Sequence, residues 1–148
     1  MNAYPKRAVT HYLPFKKCIA SNCSLGLLRT LLSATMLAGY FNGHVFSADM
    51  VSKPKPTPDL YLYAAHTMGV NPLHCLVIED SEAGVQAAVS AGMKVWGFLG
   101  GNHTTLETKA KLLNMGAQRT FSKMANLINL LAKENAMPIS QINTPDFL

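Results

Sequence analysis

An open α/β sheet of parallel strands flanked by helices is the fold class predicted here, on three observations. Residues 75–79 (CLVIE) run apolar up to a terminal glutamate, as a strand does when it is covered on both faces. Short apolar runs alternate along the chain with stretches of helical spacing, the pattern of strands and helices in turn. Glycines stand where the helical stretches stop, at Gly39, Gly69 and Gly92.

The elements follow in order. Residues 17–21 (KCIAS) form the first short strand. Apolar residues at Leu25, Leu28, Leu31, Leu32 and Met36 predict a helix, with Gly39 as its stop. Residues 44–47 (HVFS) form a second short strand. In residues 53–59 (KPKPTPD) three prolines withhold backbone donors and exclude a central strand or helix interior. Thr57 and Pro58 suit the cap and first position of a helix through residues 60–68 (LYLYAAHTM). After the strand at 75–79, Ser81 caps a helix whose apolar face carries Val85, Ala88 and Val89. Residues 94–98 (KVWGF) form another strand. Helices at about 104–114 and 122–134 follow, with a short strand near 118–121. The polar tail from Pro138 is expected to be loose.

Composition bounds the rest. The chain has 148 residues, 49% of them hydrophobic and 14% charged, enough apolar material for one core and too little charge for disorder. Its net charge of +5 suits an anionic ligand. No basic stripe interleaved with aromatics accompanies it, so nucleic acid is not the expected partner. Cys18, Cys23 and Cys75 lack metal-ligand spacing and fit reduced thiols in a cytoplasmic protein. No apolar run is long enough to span a membrane, and no signal peptide is read at the start.

Three polar clusters lie at predicted strand ends or in loops, where open α/β sheets place their sites. Glu79 and Asp80 are adjacent carboxylates closing an apolar strand. Their mutual repulsion is relieved by a divalent cation, and hard oxygens suit Mg²⁺. Alternatively Asp80 or Ser81 only caps the next helix. Ser21 and Asn22 follow a strand and precede a helix, where a hydroxyl and backbone N–H groups can hold a phosphate oxygen or form an ordinary cap. Lys55 stands in a proline-stiffened loop, able to neutralise a transferring phosphoryl group or simply solvated. Lys53 competes with it for that role.

Taken together, IASN (19–22), KPTPD (55–59) and VIEDSEAGVQAAVSAGM (77–93) resemble the haloacid dehalogenase superfamily, closest to the branch of β-phosphoglucomutase and small sugar-phosphate phosphatases. The resemblance runs from about residue 17 to 100, and more weakly to 134. It implies a Rossmann-like core and Mg²⁺-dependent hydrolysis or transfer of a phosphoryl group on a small phosphorylated metabolite. By the same resemblance, Ser21 hydrogen-bonds the phosphoryl group with Asn22 beside it. Lys55 stabilises the transferring phosphoryl group, Asp80 is the magnesium ligand, and Glu79 is its acidic helper. Gly84 lets the loop pass close to the site, or serves simple turn chemistry. A flavodoxin-like or receiver domain would also place acids at strand ends, but needs no KPTPD before EDSEAG.

The family's first motif, a strand ending in D-x-D, has no counterpart in this sequence. The four aspartates are Asp49, Asp59, Asp80 and Asp146, and no two are spaced that way. Without the nucleophile no covalent phospho-enzyme forms, and Mg²⁺ is held weakly. The family's helical cap is also not seen. The expected organisation is a remnant before the core at 1–16, a partial core at 17–134, and the tail at 135–148. The missing strand would lie mid-sheet, between the strands at 17–21 and 75–79. Its loss leaves open edges that favour self-association or a complementing N-terminal chain, unless they close on one another. Residues 1–16 are poor filling, because Pro5 and Pro14 interrupt them. The chain is therefore expected to be inactive alone. It reads as a truncated or degenerate remnant, or half of a split enzyme acting as a binding module.

Overall fold

The computed structural model describes residues 15–101, 105–135 and 146–147. Its elements are β1 (Ile19–Ser21), α1 (Leu25–Ala34), β2 (Val45–Ser47), α2 (Asp59–Met68), β3 (Cys75–Glu79), α3 (Glu82–Ser90), β4 (Lys94–Phe98), α4 (Leu106–Asn114), β5 (Arg119–Phe121), α5 (Leu127–Asn135) and β6 (Asp146–Phe147). The α/β class and parallel pairing are as expected. Among the described residues every pairing is parallel: β1 with β2, and β5-β4-β3-β6 in a second sheet.

Alternation along β3 and β4 puts successive side chains on opposite faces. Cys75, Val77 and Val95 join a core with Leu60, Ala64 and Met68 of α2, Val85 and Ala88 of α3, and Leu112 of α4. Leu76 and Trp96 point the other way, into a core with Phe15, Phe121, Leu127 and Leu131. Helices thus cover both faces, which is why β3 reads as continuously apolar. Cys18 and Phe46 belong to the first core, so α2 binds the small β1–β2 sheet and the larger sheet into one apolar layer.

One of the expected open edges is partly covered, in a way the sequence did not suggest. β1 and β3 do not close on one another; they lie in separate sheets. The tail, expected to be loose, supplies β6, whose Asp146 and Phe147 pair with Cys75 and Leu76 on the edge of β3 away from β4. Backbone groups on a strand edge gain a partner even from two residues. Of residues 1–16, read as a remnant before the core, 1–14 lie outside the described residues, as do 136–145 between the last helix and β6.

Local differences have local causes. Gly39 does not end α1, which stops at Ala34 with Thr35 as its cap; Gly39 sits in a short 3-10 turn, Ala38–Tyr40. Thr57 does not cap α2. Its hydroxyl donates instead to the carbonyls of Lys53 (3.1 Å) and Pro54 (2.9 Å), tying the proline loop to itself, and Pro58 takes the cap position. Gly69 ends α2 with φ +66°, a conformation costly for any residue with a Cβ.

Candidate functional site

Three chain segments meet at the C-terminal ends of β1 and β3: residues 20–23, the proline loop, and residues 78–83. They line a cavity of about 350 Å³ bounded by Ala20 to Cys23, Lys55, Ile78 to Ser81 and Ala83. Ser21, Asn22, Lys55, Glu79 and Asp80, the residues singled out from sequence, all stand on its wall.

Lys55 is the centre of the arrangement. It is 8% exposed, and its ammonium donates to the Ala20 carbonyl (2.9 Å) and to Glu79 Oε1 (2.6 Å). The lysine therefore bridges the two sheets where their strands end. Lys53, the competing candidate, is exposed. What aims Lys55 is largely Asn22. The Asn22 side chain accepts from the Lys55 backbone N–H (2.9 Å) and donates to the Lys55 carbonyl (3.1 Å). Both polar ends of the amide are thereby engaged in holding the proline loop against the end of β1.

Glu79 is buried and accepts from several donors. Oε1 takes Lys55 and the Tyr61 hydroxyl (2.6 Å). Oε2 takes the Ser81 hydroxyl (3.0 Å) and the backbone N–H groups of Asp80 (3.2 Å) and Ser81 (3.3 Å). Ser81 also caps α3, accepting from Gly84 N (3.1 Å), so the cap reading holds for Ser81. Gly84 is required by closeness. A Cβ there would lie 2.0 Å from the Glu79 carboxyl carbon.

The Asp80 side chain accepts no hydrogen bond from the described residues and is exposed at the cavity. Ser21 Oγ accepts from Cys23 N (3.2 Å), and Ser21 lines the cavity. Ser21 and Asn22 are not the cap of α1. That role falls to Ser24, which accepts from Leu27 N (3.3 Å), helped by Asp49, whose carboxylate accepts from Leu25 N (2.8 Å). Asp49 is thus an anchor at a helix start, where a carboxylate is favoured.

A family profile described as haloacid dehalogenase-like hydrolase matches residues 14–92, more than half of the chain. The chain belongs to the haloacid dehalogenase-like hydrolases. Its relatives include the fructose-1-phosphate phosphatase YqaB of Escherichia coli, 40% identical over 75 residues, covering 51% of this chain and 39% of that protein. The E. coli 6-phosphogluconate phosphatase is 33% identical over 86 residues, covering 58% of this chain and 39% of that protein. Among solved structures, a haloacid dehalogenase-like protein of Agrobacterium tumefaciens superposes with a TM-score of 0.83 at 35% identity, covering 87% of this chain and 59% of that one. A hydrolase of the same family from Deinococcus radiodurans, solved with bound phosphate and sodium, gives a TM-score of 0.78 at 34% identity, over 91% and 59%. The chain spans about two fifths of the length of these two curated relatives.

In this haloacid dehalogenase-like chain the acidic pair at the end of β3 divides its labour. Glu79 was expected beside Asp80 at a metal. Its two oxygens instead face protein donors, while Asp80 alone presents an open carboxylate. Among the described residues no three His, Cys, Asp or Glu side chains gather as a metal cluster. Tyr61 escaped the sequence reading altogether. The available signal was its place on the core-facing stripe of α2 with Leu60, Ala64, Ala65 and Met68, where a buried phenol needs a partner for its hydroxyl.

The electrostatics follow from burial and partners. Burial pushes the Glu79 carboxyl up, but the Lys55 ammonium and the bonds from Lys55, Tyr61 and Ser81 outweigh it and hold the group below its ordinary 4.5. Burial drives the Tyr61 phenol far up, reinforced by the Glu79 charge, so it stays a donor. The Cys18 thiol is pushed up to about 12, chiefly by burial, so it is unreactive near neutrality. Because Glu79 is depressed in the folded state, its ion pair stabilises the fold above pH 4.5 and that contribution is lost as pH falls further. Urea unfolding between pH 7 and pH 3 should therefore lose more stability in the unsubstituted chain than in Glu79→Gln. Equal slopes would discard this account of acid sensitivity.

Proposed function

We propose that the cavity is the phosphate-binding half of a phosphoryl-transfer site for a small phosphorylated metabolite, and that this chain alone binds phosphate without turning it over. The observation that carries the reading is Lys55, a buried lysine fixed by Glu79 on the wall of a cavity that Ser21 and Asp80 also line. An ammonium fixed in a low-dielectric wall attracts a phosphoryl group more strongly than one in bulk water. Ser21 offers the phosphate oxygens a hydroxyl, and Asn22 acts by holding the lysine loop. Sugar phosphates are the substrate class suggested by the names of the E. coli relatives.

Mg²⁺ would meet this chain at Asp80. Magnesium wants about six oxygens in near-octahedral order and commonly keeps several waters. One open carboxylate answers only part of that need, so the affinity from these residues is weak and no chemical step is assigned to the ion. The nucleophile is the other gap. Asp49 accepts from Leu25 N at the start of α1, Asp59 opens α2, and Asp146 belongs to the two-residue β6. Asp80 is the aspartate on the cavity wall. A second polypeptide that brings a D-x-D strand to β3 beyond Leu76, where β6 does not pair, would be the route to a complete site. No helix among the described residues is long and apolar enough to cross a membrane, and free thiols fit a reducing, cytoplasmic setting.

The test is titration with inorganic phosphate, with and without Mg²⁺, beside a hydrolysis assay on a generic phosphate ester. Phosphate should bind, and Mg²⁺ should strengthen it. Asp80→Asn should remove the magnesium enhancement while leaving the magnesium-free constant within about threefold, a change of less than ~1 kcal/mol. Hydrolysis should stay at background. Turnover abolished by Asp80→Asn would overturn the non-catalytic reading, and absence of phosphate binding would overturn the site.

A further inference from the structure

We infer that Tyr61 is a positioning residue of this site, tuning how much of the Lys55 charge reaches a phosphate; the inference rests on the phosphate-binding reading above. Nothing in the family motifs of this sequence assigns Tyr61 a role. Its side chain is 1% exposed, yet its hydroxyl donates to the same Glu79 oxygen that Lys55 holds, at the same 2.6 Å. Its ring lies under the ammonium, 4.5 Å from Nζ to the ring centroid. One side chain thus touches both members of the ion pair.

The physical consequence concerns competition. Glu79 faces Lys55 with a full negative charge, and an incoming phosphate must compete with it for the ammonium. Each hydrogen bond to the carboxylate draws part of that charge away from the lysine. Ser81 and two backbone N–H groups do this at Oε2. Tyr61 alone adds a side-chain hydroxyl at Oε1, the oxygen that Lys55 contacts. The ring face meanwhile supports the ammonium on a side where no water is needed. The phenol therefore leaves Lys55 anchored yet still able to attract an anion.

Tyr61→Phe keeps the ring and removes only the donor. In the full chain it should weaken inorganic phosphate binding about tenfold, the scale of one charge-assisted hydrogen bond. The loss should shrink in a Glu79→Gln background, where no carboxylate charge competes for the ammonium. A merely structural tyrosine would lower the melting temperature and leave phosphate binding unchanged, and that result overturns the inference. Should the phenylalanine variant not fold, biosynthetic replacement of tyrosine by 3-fluorotyrosine, a more acidic phenol and stronger donor, tests the same point in the intact fold. Tighter phosphate binding is then expected, and an unchanged constant overturns the inference. No phosphate binding by the unsubstituted chain removes the proposed function and this inference together. Binding that Tyr61→Phe leaves unaltered removes the inference alone.

Discussion

Lys55→Met should cost about 3–5 kcal/mol of stability at pH 7, the range for breaking one side of a buried ion pair, and should abolish phosphate binding. The lysine and Glu79 are 8% and 9% exposed, so neither can turn to water for compensation. Methionine has nearly the length of lysine and fills its channel, which separates the electrostatic loss from a cavity effect. What remains is a buried carboxylate with donors from Tyr61, Ser81 and two N–H groups but no cation. The double variant Lys55→Met, Glu79→Gln should regain much of the stability, because the uncompensated charge is gone, while phosphate binding stays lost. Urea unfolding and phosphate titration of the three variants read both effects. A single variant as stable as the unsubstituted chain would show that the pair is not buried as described.

Gly84→Ala should be nearly as damaging, by about 2–4 kcal/mol, although it adds one methyl group. The added Cβ would fall 2.0–2.2 Å from the carboxyl carbon and both oxygens of Glu79. Overpacking of a core position ordinarily costs about 1–3 kcal/mol. Here the group that must yield is a carboxylate pinned by five donors, so moving it also leaves donors unsatisfied. Gly26→Ala supplies the control, since nothing lies within 4 Å of a Cβ there and alanine favours helix. Thermal unfolding should show a large drop for Gly84→Ala and none for Gly26→Ala. In a Glu79→Ala background the Gly84→Ala penalty should largely vanish, because the two effects share one contact. A penalty that persists there would place the cause in α3 itself rather than in the carboxylate.

The site was legible to different depths. IASN, KPTPD and EDSEAG are short local patterns whose chemistry is written in residue type: a hydroxyl, a lysine between prolines, paired carboxylates before a cap. Their convergence on one wall follows from parallel strands that end on the same side. Glu79 was legible as acidic but not as the lysine's partner. Lys55 and Glu79 lie 24 residues apart, and only the packing of α2 over both sheets brings them together. Tyr61 shows the same limit. Its position on the apolar stripe of α2 marks it as buried, but its hydroxyl finds Glu79 through a contact 18 residues away. Thr57 differed because its hydroxyl bonds the Lys53 and Pro54 carbonyls, and the tail strand because it pairs with β3, remote in the chain.

From residues alone came the alternating parallel architecture, the family, Lys55 and Lys53 as rival site lysines, and the lack of a D-x-D pair. The architecture rests on periodicity and on prolines and glycines with restricted backbone choices, the family on the resemblance that IASN, KPTPD and EDSEAG carry, and the missing pair on counting aspartates. The three-dimensional fold decided which acid holds the lysine and which stays open, that the strands form two sheets, and that Asp146–Phe147 joins β3. Those outcomes depend on distances between segments remote in the chain. Burial there turns ordinary charges into exclusive partners, and a linear pattern carries no record of that competition.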